Sequence, residues 1–385
     1  MIRSKLSNVG TSIFAVMTKM ANEYNAINLS QGFPDFDVSE ILIEKISQKM
    51  KIGLNQYAPM PGVLELRNQI SNKTFELHNY KYNPETEITV TAGGTQALYT
   101  AITATVQDGD EVIIFDPAYD SYAPVVRLNG GIPIFISLKY PDYEIDWNEV
   151  TRLISSRTRL IIFNSPQNPS GTTWSLEDMK MLQKLVNGTK ILILSDEVYE
   201  HIIFDDNVHH SVSKFPLLAE RSLVIGSFGK TYHATGWKIG YCLAPEKITK
   251  EFRKIHQFNV FCVNTPIQHA LAEHLEDKNE YLKLSKFYQQ KRDLFVNQFN
   301  DSGLIVKPSK GTYFQTIDFS GCKIEKDTEI CEILTKQFGV AGIPMSAFYH
   351  DTVKSSALRF CFAKSELILV EAAKKIIKFY NENKL

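Results

Sequence analysis

The sequence has no Cys-x-x-Cys pair, no apolar run approaching the length of a bilayer span, no internal repeat and no low-complexity stretch. Each absence removes a class of protein. The five cysteines (Cys242, Cys262, Cys322, Cys331, Cys361) are odd in number and scattered, which fits reduced, buried thiols better than a disulfide framework. No metal is expected. Charge of one sign is also missing: 42 Lys plus Arg face 43 Asp plus Glu, so no basic field gathers nucleic acid or an anionic membrane. The first thirty residues carry an early positive charge, but Thr, Lys and Asn interrupt their apolar positions before a signal-peptide core can form. A soluble, cytoplasmic protein is the expectation.

What is present is an ordinary globular composition, 44% hydrophobic and 22% charged over 385 residues, enough for one large domain and a smaller one. Short β-branched runs alternate with longer helical patterns, which reads as α/β. Strands are expected at 88–91, 111–115, 132–138, 160–164, 191–194, 222–227 and 238–243, each apolar enough to be covered on both faces. Helical patterns fill 95–106, 147–154 and 176–186 between them. After these comes a charged helical stretch, 279–303. Strand candidates at 312–317 and 357–362 and an amphipathic helix at 367–380 then suit a smaller α+β lobe. The expected division is residues 1–44 as an N-terminal arm and part of the small domain, 45–280 as the large domain, and 281–385 as the small C-terminal domain. The cleft between the lobes is the default ligand site.

The stretch "SFGKTYHATGWKIGY", residues 227–241, offers Gly-Lys-Thr directly after an apolar run. A nucleotide P-loop ends this way, but its earlier glycine would have to stand where the chain has Val224, and a P-loop opens into a helix. A Schiff-base lysine is the second reading. Phe228, Tyr232 and Trp237 could lower the polarity around Lys230, while Ser227 and Lys238 could hold a phosphate. For a lone lysine, an exposed turn would be the simplest account.

The rest of the chain decides among these. "INLSQGFPDFD", "LNQYAPMPG", "TAGGTQALY", "FDPAYDSY", "NSPQNPSG", "SDEVYEHI", "GTYF" and "LRFCFAK" occur in this order around the lysine stretch. Together they resemble the fold-type I pyridoxal-phosphate aminotransferases, particularly the methionine and kynurenine branch, over nearly the whole chain. The resemblance implies a large, mostly parallel sheet domain with a smaller α+β domain, and pyridoxal 5'-phosphate as cofactor.

It also implies roles for particular residues. Lys230 corresponds to the cofactor lysine and Asp196 to the carboxylate that keeps the ring nitrogen protonated. Tyr199 and Asn168 match the partners of the phenolic oxygen, and Tyr119 the aromatic stacked on the ring. Gly94, Thr95 and Gln96 match the helix-start phosphate site, joined by Ser227 and Lys238. Tyr57 matches a tyrosine that reaches the phosphate from the neighbouring subunit, which implies a homodimer with shared active sites. Arg359 and Gly32 match the clamp for the substrate's carboxylate. Phe33, Tyr313 and Phe348 are aromatic candidates for the side-chain pocket.

The implied reaction is a ping-pong transfer of an amino group from an apolar or aromatic L-amino acid, methionine first, to a 2-oxo acid. No arginine for a distal carboxylate occurs in "HQFNVFCVNTPIQ", which argues against dicarboxylates. A cystathionine or cysteine-S-conjugate β-lyase using the same cofactor is the alternative. The sensor half of a transcriptional regulator is disfavoured, because the motifs begin within the first few dozen residues and leave no room for a DNA-binding module ahead of them.

Overall fold

Buried aliphatic runs become parallel strands here because both of their faces are covered. The computed structural model describes residues 3–7 and 9–385. Its strands are β1 (Ile27–Asn28), β2 (Ile88–Thr91), β3 (Glu111–Asp116), β4 (Ile132–Ser137), β5 (Thr158–Asn164), β6 (Leu192–Asp196), β7 (Ser222–Ser227), β8 (Gly240–Leu243), β9 (Phe314–Asp318), β10 (Val340–Ala341), β11 (Ile343–Pro344) and β12 (Ala357–Cys361). Seven of them form one sheet in the order β2-β8-β7-β6-β5-β3-β4. Only β8 runs against the rest, pairing antiparallel with both β2 and β7.

The two-residue period of a strand divides the core between the sheet's faces. Val112, Ile114, Leu194, Leu223 and Ile225 pack on one face with Leu98, Ala101 and Ile102 of the helix Gly93–Thr105. Ile113, Ile161, Ile193 and Val224 pack on the other. Strand β4 departs from the expectation of two covered faces. It is the sheet's edge, only Ile136 in it is fully buried, and Ile132 is 40% exposed.

A second sheet, β11-β12-β9, is antiparallel and carries the C-terminal part of the chain. The N-terminal segment joins this part: β1 pairs in parallel with β10, and the Cys361 N–H donates to the Leu29 carbonyl at 2.8 Å. Further along, the Asp35 N–H donates to the Ala363 carbonyl and the Ser365 N–H to the Asp35 carboxylate. Residues 29–36 therefore run along the continuation of β12.

Two strand starts lie later than the sequence suggests. Lys238 and Thr312 adopt left-handed backbone (φ 57° and 66°), so β8 and β9 begin beyond them. The charged stretch from 279 divides into Asn279–Leu282 and Leu284–Asn297. Among the described residues no helix is long and apolar enough to cross a membrane.

Candidate active site

In open α/β sheets, ligands bind beyond the carboxyl ends of the strands, because side chains and helix N-termini converge there. Here β5 ends at Asn164, β6 at Asp196 and β7 at Ser227, and the helix Gly93–Thr105 starts beside them. Gly93 makes the turn from β2 into that helix at φ +80°, where an L side chain is strained, and an added Cβ would lie 3.5 Å from Lys238. Together these ends enclose a cavity of about 340 Å3.

Lys230, Asp196, Tyr199, Asn168, Tyr119, Gly94, Thr95, Ser227, Lys238, Gly32 and Arg359 all line this cavity, although they are spread over more than 320 positions of the chain. The sequence-based candidates therefore meet. Lys230 Nζ donates to the Gly32 carbonyl at 3.4 Å and lies 5.6 Å from the ring centroid of Tyr199 and 5.7 Å from that of Tyr313. Burial lowers its pKa to about 8, because the neutral amine needs less solvation than the ammonium. A lysine so placed can attack a carbonyl near neutral pH.

Asp196 is 4% exposed, and burial raises its pKa to about 6 against the opposing hydrogen bonds of Tyr122 and the Val198 N–H. A cationic partner within the cavity would bring it back down. Tyr199 is held as a neutral phenol by burial. Asn168 Oδ1 accepts from Arg359 Nη1 at 2.6 Å, and Arg359 Nη2 donates to the Ser30 carbonyl at 2.9 Å. The guanidinium is sandwiched by aromatics, 3.9 Å from the Phe314 ring centroid and 5.3 Å from that of Phe14. The Tyr119 hydroxyl stands 3.2 Å from the Thr95 hydroxyl.

Other candidates stand off the cavity wall. The Gln96 side chain turns back to its own helix start, where Oε1 accepts from the Ala92 N–H at 3.0 Å. Phe33 is 45% exposed with Lys364 Nζ 4.6 Å from its ring centroid, so its ring faces outward while neighbouring Gly32 lines the cavity. Tyr313 is buried behind Gly32, donating to its carbonyl at 2.6 Å. Phe348 packs behind Arg359, 4.9 Å from its guanidinium. Tyr57 is 82% exposed beside Phe261 and does not reach this chain's cavity.

Besides Tyr119 and Tyr199, the aromatic residues that line the cavity are Phe14 and Phe314, with Gln31, Leu98 and Val198 also on its wall. Sequence reasoning missed these. Phe314 stands next to Tyr313 in the quoted "GTYF", but Phe14 lies in an N-terminal helix, Ile13–Glu23, with no motif of its own. Tyr122, which donates to Asp196 Oδ2 at 2.6 Å, was also missed, although "DPAYDSY" ends at it.

The donor set fits a ligand with two anionic ends and a basic ring nitrogen. Three cationic side chains (Lys230, Lys238, Arg359) face the cavity against one carboxylate, Asp196. Arg359 Nε is buried without a hydrogen-bond partner, and neither the Ser227 hydroxyl nor the Lys238 ammonium has one within the described residues. Donors left over at a helix start suit a phosphate, and a buried guanidinium edge suits a carboxylate. Pyridoxal 5'-phosphate with an amino acid meets these requirements. Among the described residues no cluster of His, Cys, Asp or Glu could hold a metal ion.

Comparison with known proteins agrees in kind. The profile of the family described as aminotransferase class I and II matches residues 24–376. The chain is 50% identical over 375 residues to a methionine aminotransferase of Escherichia coli K12, covering 97% of each. It is 34% identical to a kynurenine–oxoglutarate transaminase of Dictyostelium discoideum, covering 97% of this chain and 95% of the other. A solved E. coli structure, described as having a methionine aminotransferase function, superposes with a TM-score of 0.96 at 49% identity, covering 98% of this chain and 99% of that one.

Proposed function

Because the chain belongs to the class I and II aminotransferases, enzymes that depend on pyridoxal 5'-phosphate, we propose that it moves the amino group of methionine to a 2-oxo acid by a ping-pong cycle. The observation that carries this reading is the convergence on one cavity of the buried Lys230 amine, the Asp196 carboxylate and the Arg359 guanidinium. The bound cofactor supplies an electron sink for the bond broken at the amino acid's Cα.

The chain's own residues supply the rest. Lys230 would attach the cofactor, and its freed Nζ would accept the Cα proton and deliver a proton to the cofactor's C4′ carbon. Asp196 would keep a proton on the ring nitrogen. Tyr199 and Asn168 would bond the phenolic oxygen, Tyr119 would cover the ring, and Gly94, Thr95, Gln96 (through its backbone), Ser227 and Lys238 would hold the phosphate. Arg359, with the Gly32 backbone, would clamp the substrate's carboxylate. Phe14 and Phe314 give the remaining wall an apolar, polarizable surface that suits a thioether.

Residues 45–280 are taken as the cofactor-binding domain and 281–385, with part of 1–44, as the smaller one; the pairing of β1 with β10 supports joining the chain's two ends. The site is taken to be completed in a homodimer by the partner's Tyr57. Its exposure beside Phe261, itself 51% exposed, supports an interface there.

Incubating the purified protein with methionine and a panel of 2-oxo acids should form the corresponding methionine oxo acid. The β-lyase alternative is not favoured; pyruvate and ammonia released from cystathionine at a higher rate, without any oxo acid, would reverse that order.

A further inference from the structure

Tyr122 opens the helix Tyr122–Leu128, and only 2% of its surface is exposed. It does not line the cavity, so it would touch neither cofactor nor substrate. Its ring is fixed in the apolar cluster that includes Leu98, Ile114, Ile162 and Leu194, with Tyr119 edge-on at 5.7 Å. From there its hydroxyl donates to Asp196 Oδ2 at 2.6 Å. Oδ1 receives only a 3.4 Å contact from the Val198 N–H.

The Asp196 backbone is held separately. Its carbonyl accepts from Asn164 Nδ2 at 2.7 Å and from the Ser165 N–H at 3.1 Å. What these bonds leave undetermined is the rotation of the carboxylate about χ2, a soft torsion in aspartate. A phenol anchored in the core removes that freedom. It also gives the carboxylate a donor where burial would otherwise favour the neutral acid.

We propose that Tyr122 is a positioning residue for the transamination: it fixes the plane of the Asp196 carboxylate toward the cofactor's ring nitrogen and keeps it charged. This rests on the cofactor role given to Asp196 above. A tyrosine that only filled the core would be replaced by phenylalanine without consequence for the cofactor. One that acts through Asp196 must lose its effect when Asp196 is gone.

A double-mutant cycle separates the two. Apoproteins of the wild type, Tyr122→Phe, Asp196→Asn and the double variant are titrated with pyridoxal 5'-phosphate, following tryptophan fluorescence. Tyr122→Phe should weaken binding about tenfold in the wild-type background, the scale of a hydrogen bond to a charged group, and less than about twofold in the Asp196→Asn background. In the holoenzyme, kcat should fall while KM for methionine stays within about twofold. Equal losses in both backgrounds, or none in either, would overturn the assignment. The cycle is read from cofactor binding alone; a wild type that binds the cofactor yet transaminates nothing would instead overturn the proposed function.

Discussion

Burial sets the protonation of Lys230. Desolvation is the largest influence on its pKa, ahead of the repulsion from Lys238 and Arg359, and lowers it to about 8. The neutral amine is the nucleophile, so the apoprotein should capture pyridoxal 5'-phosphate faster as pH rises through about 8 and level off above it. Stopped-flow absorbance of the visible band tests this; a rate that does not change across that range would contradict it. Lys230→Ala should show no such band. Arg359 lines the same cavity and commits one N–H of each terminal nitrogen, to Asn168 and to the Ser30 carbonyl. Arg359→Lys cannot reproduce that planar fork, so kcat/KM for methionine should fall about 10- to 100-fold, mostly through KM. Steady-state kinetics at several methionine concentrations would separate the two parameters. At this scale the sequence was informative wherever a residue sits inside a motif, as Lys230, Asp196 and Arg359 do. Phe14 was illegible because its only signal is a place on a helix face; its role depends on which part of the chain that helix meets.

At the scale of elements, the turn after β6 follows Asp196 and carries Tyr199, and it is tied to the rest of the fold through Glu200 by a buried charged cluster. Lys73 pairs with Glu200, and the Tyr241 hydroxyl receives from Lys73 Nζ and donates to Glu200 Oε1, both at 2.7 Å. Burial opposes the charge of Glu200, yet Lys73, His201 and His78 together keep its pKa well below the ordinary value. Lys73→Met would leave that carboxylate buried without its main partner, at a cost of about 3–5 kcal/mol, visible as a lower urea midpoint. With its folded-state pKa depressed, Glu200 stabilises the wild type above the pKa of the unfolded chain, and that contribution is lost as pH falls toward the folded value. The variant's stability should therefore vary less with acid than the wild type's. Strands were legible from apolar runs. The starts of β8 and β9 beyond Lys238 and Thr312 were not, because non-glycine residues in left-handed backbone leave no compositional mark.

For the whole molecule, the exposed Tyr57 sets the test. If each site borrows that residue from a partner, then Lys230→Ala and Tyr57→Ala chains, each impaired alone, should complement after mixing and subunit exchange. Only mixed dimers contain an intact site, and only one of their two, so about a quarter of the wild-type activity should return. Light scattering would check the dimer independently, and recovery no greater than the sum of the separate variants would count against a shared site.

The sequence by itself determined the alternation of strands and helices, and its motifs singled out Lys230 and most of the residues that line the cavity with it, because these depend on local periodicity and on motifs of fixed spacing. Tertiary structure alone decided which aromatics form the wall. Phe33 faces outward over Lys364, Tyr313 and Phe348 support from behind, and Phe14 and Phe314 take the inner surface. It also decided that Asp196 meets Tyr122 across 74 positions. The reason is common to both: the direction of a side chain and its desolvation are set by what packs against it from distant segments, and no local pattern records that.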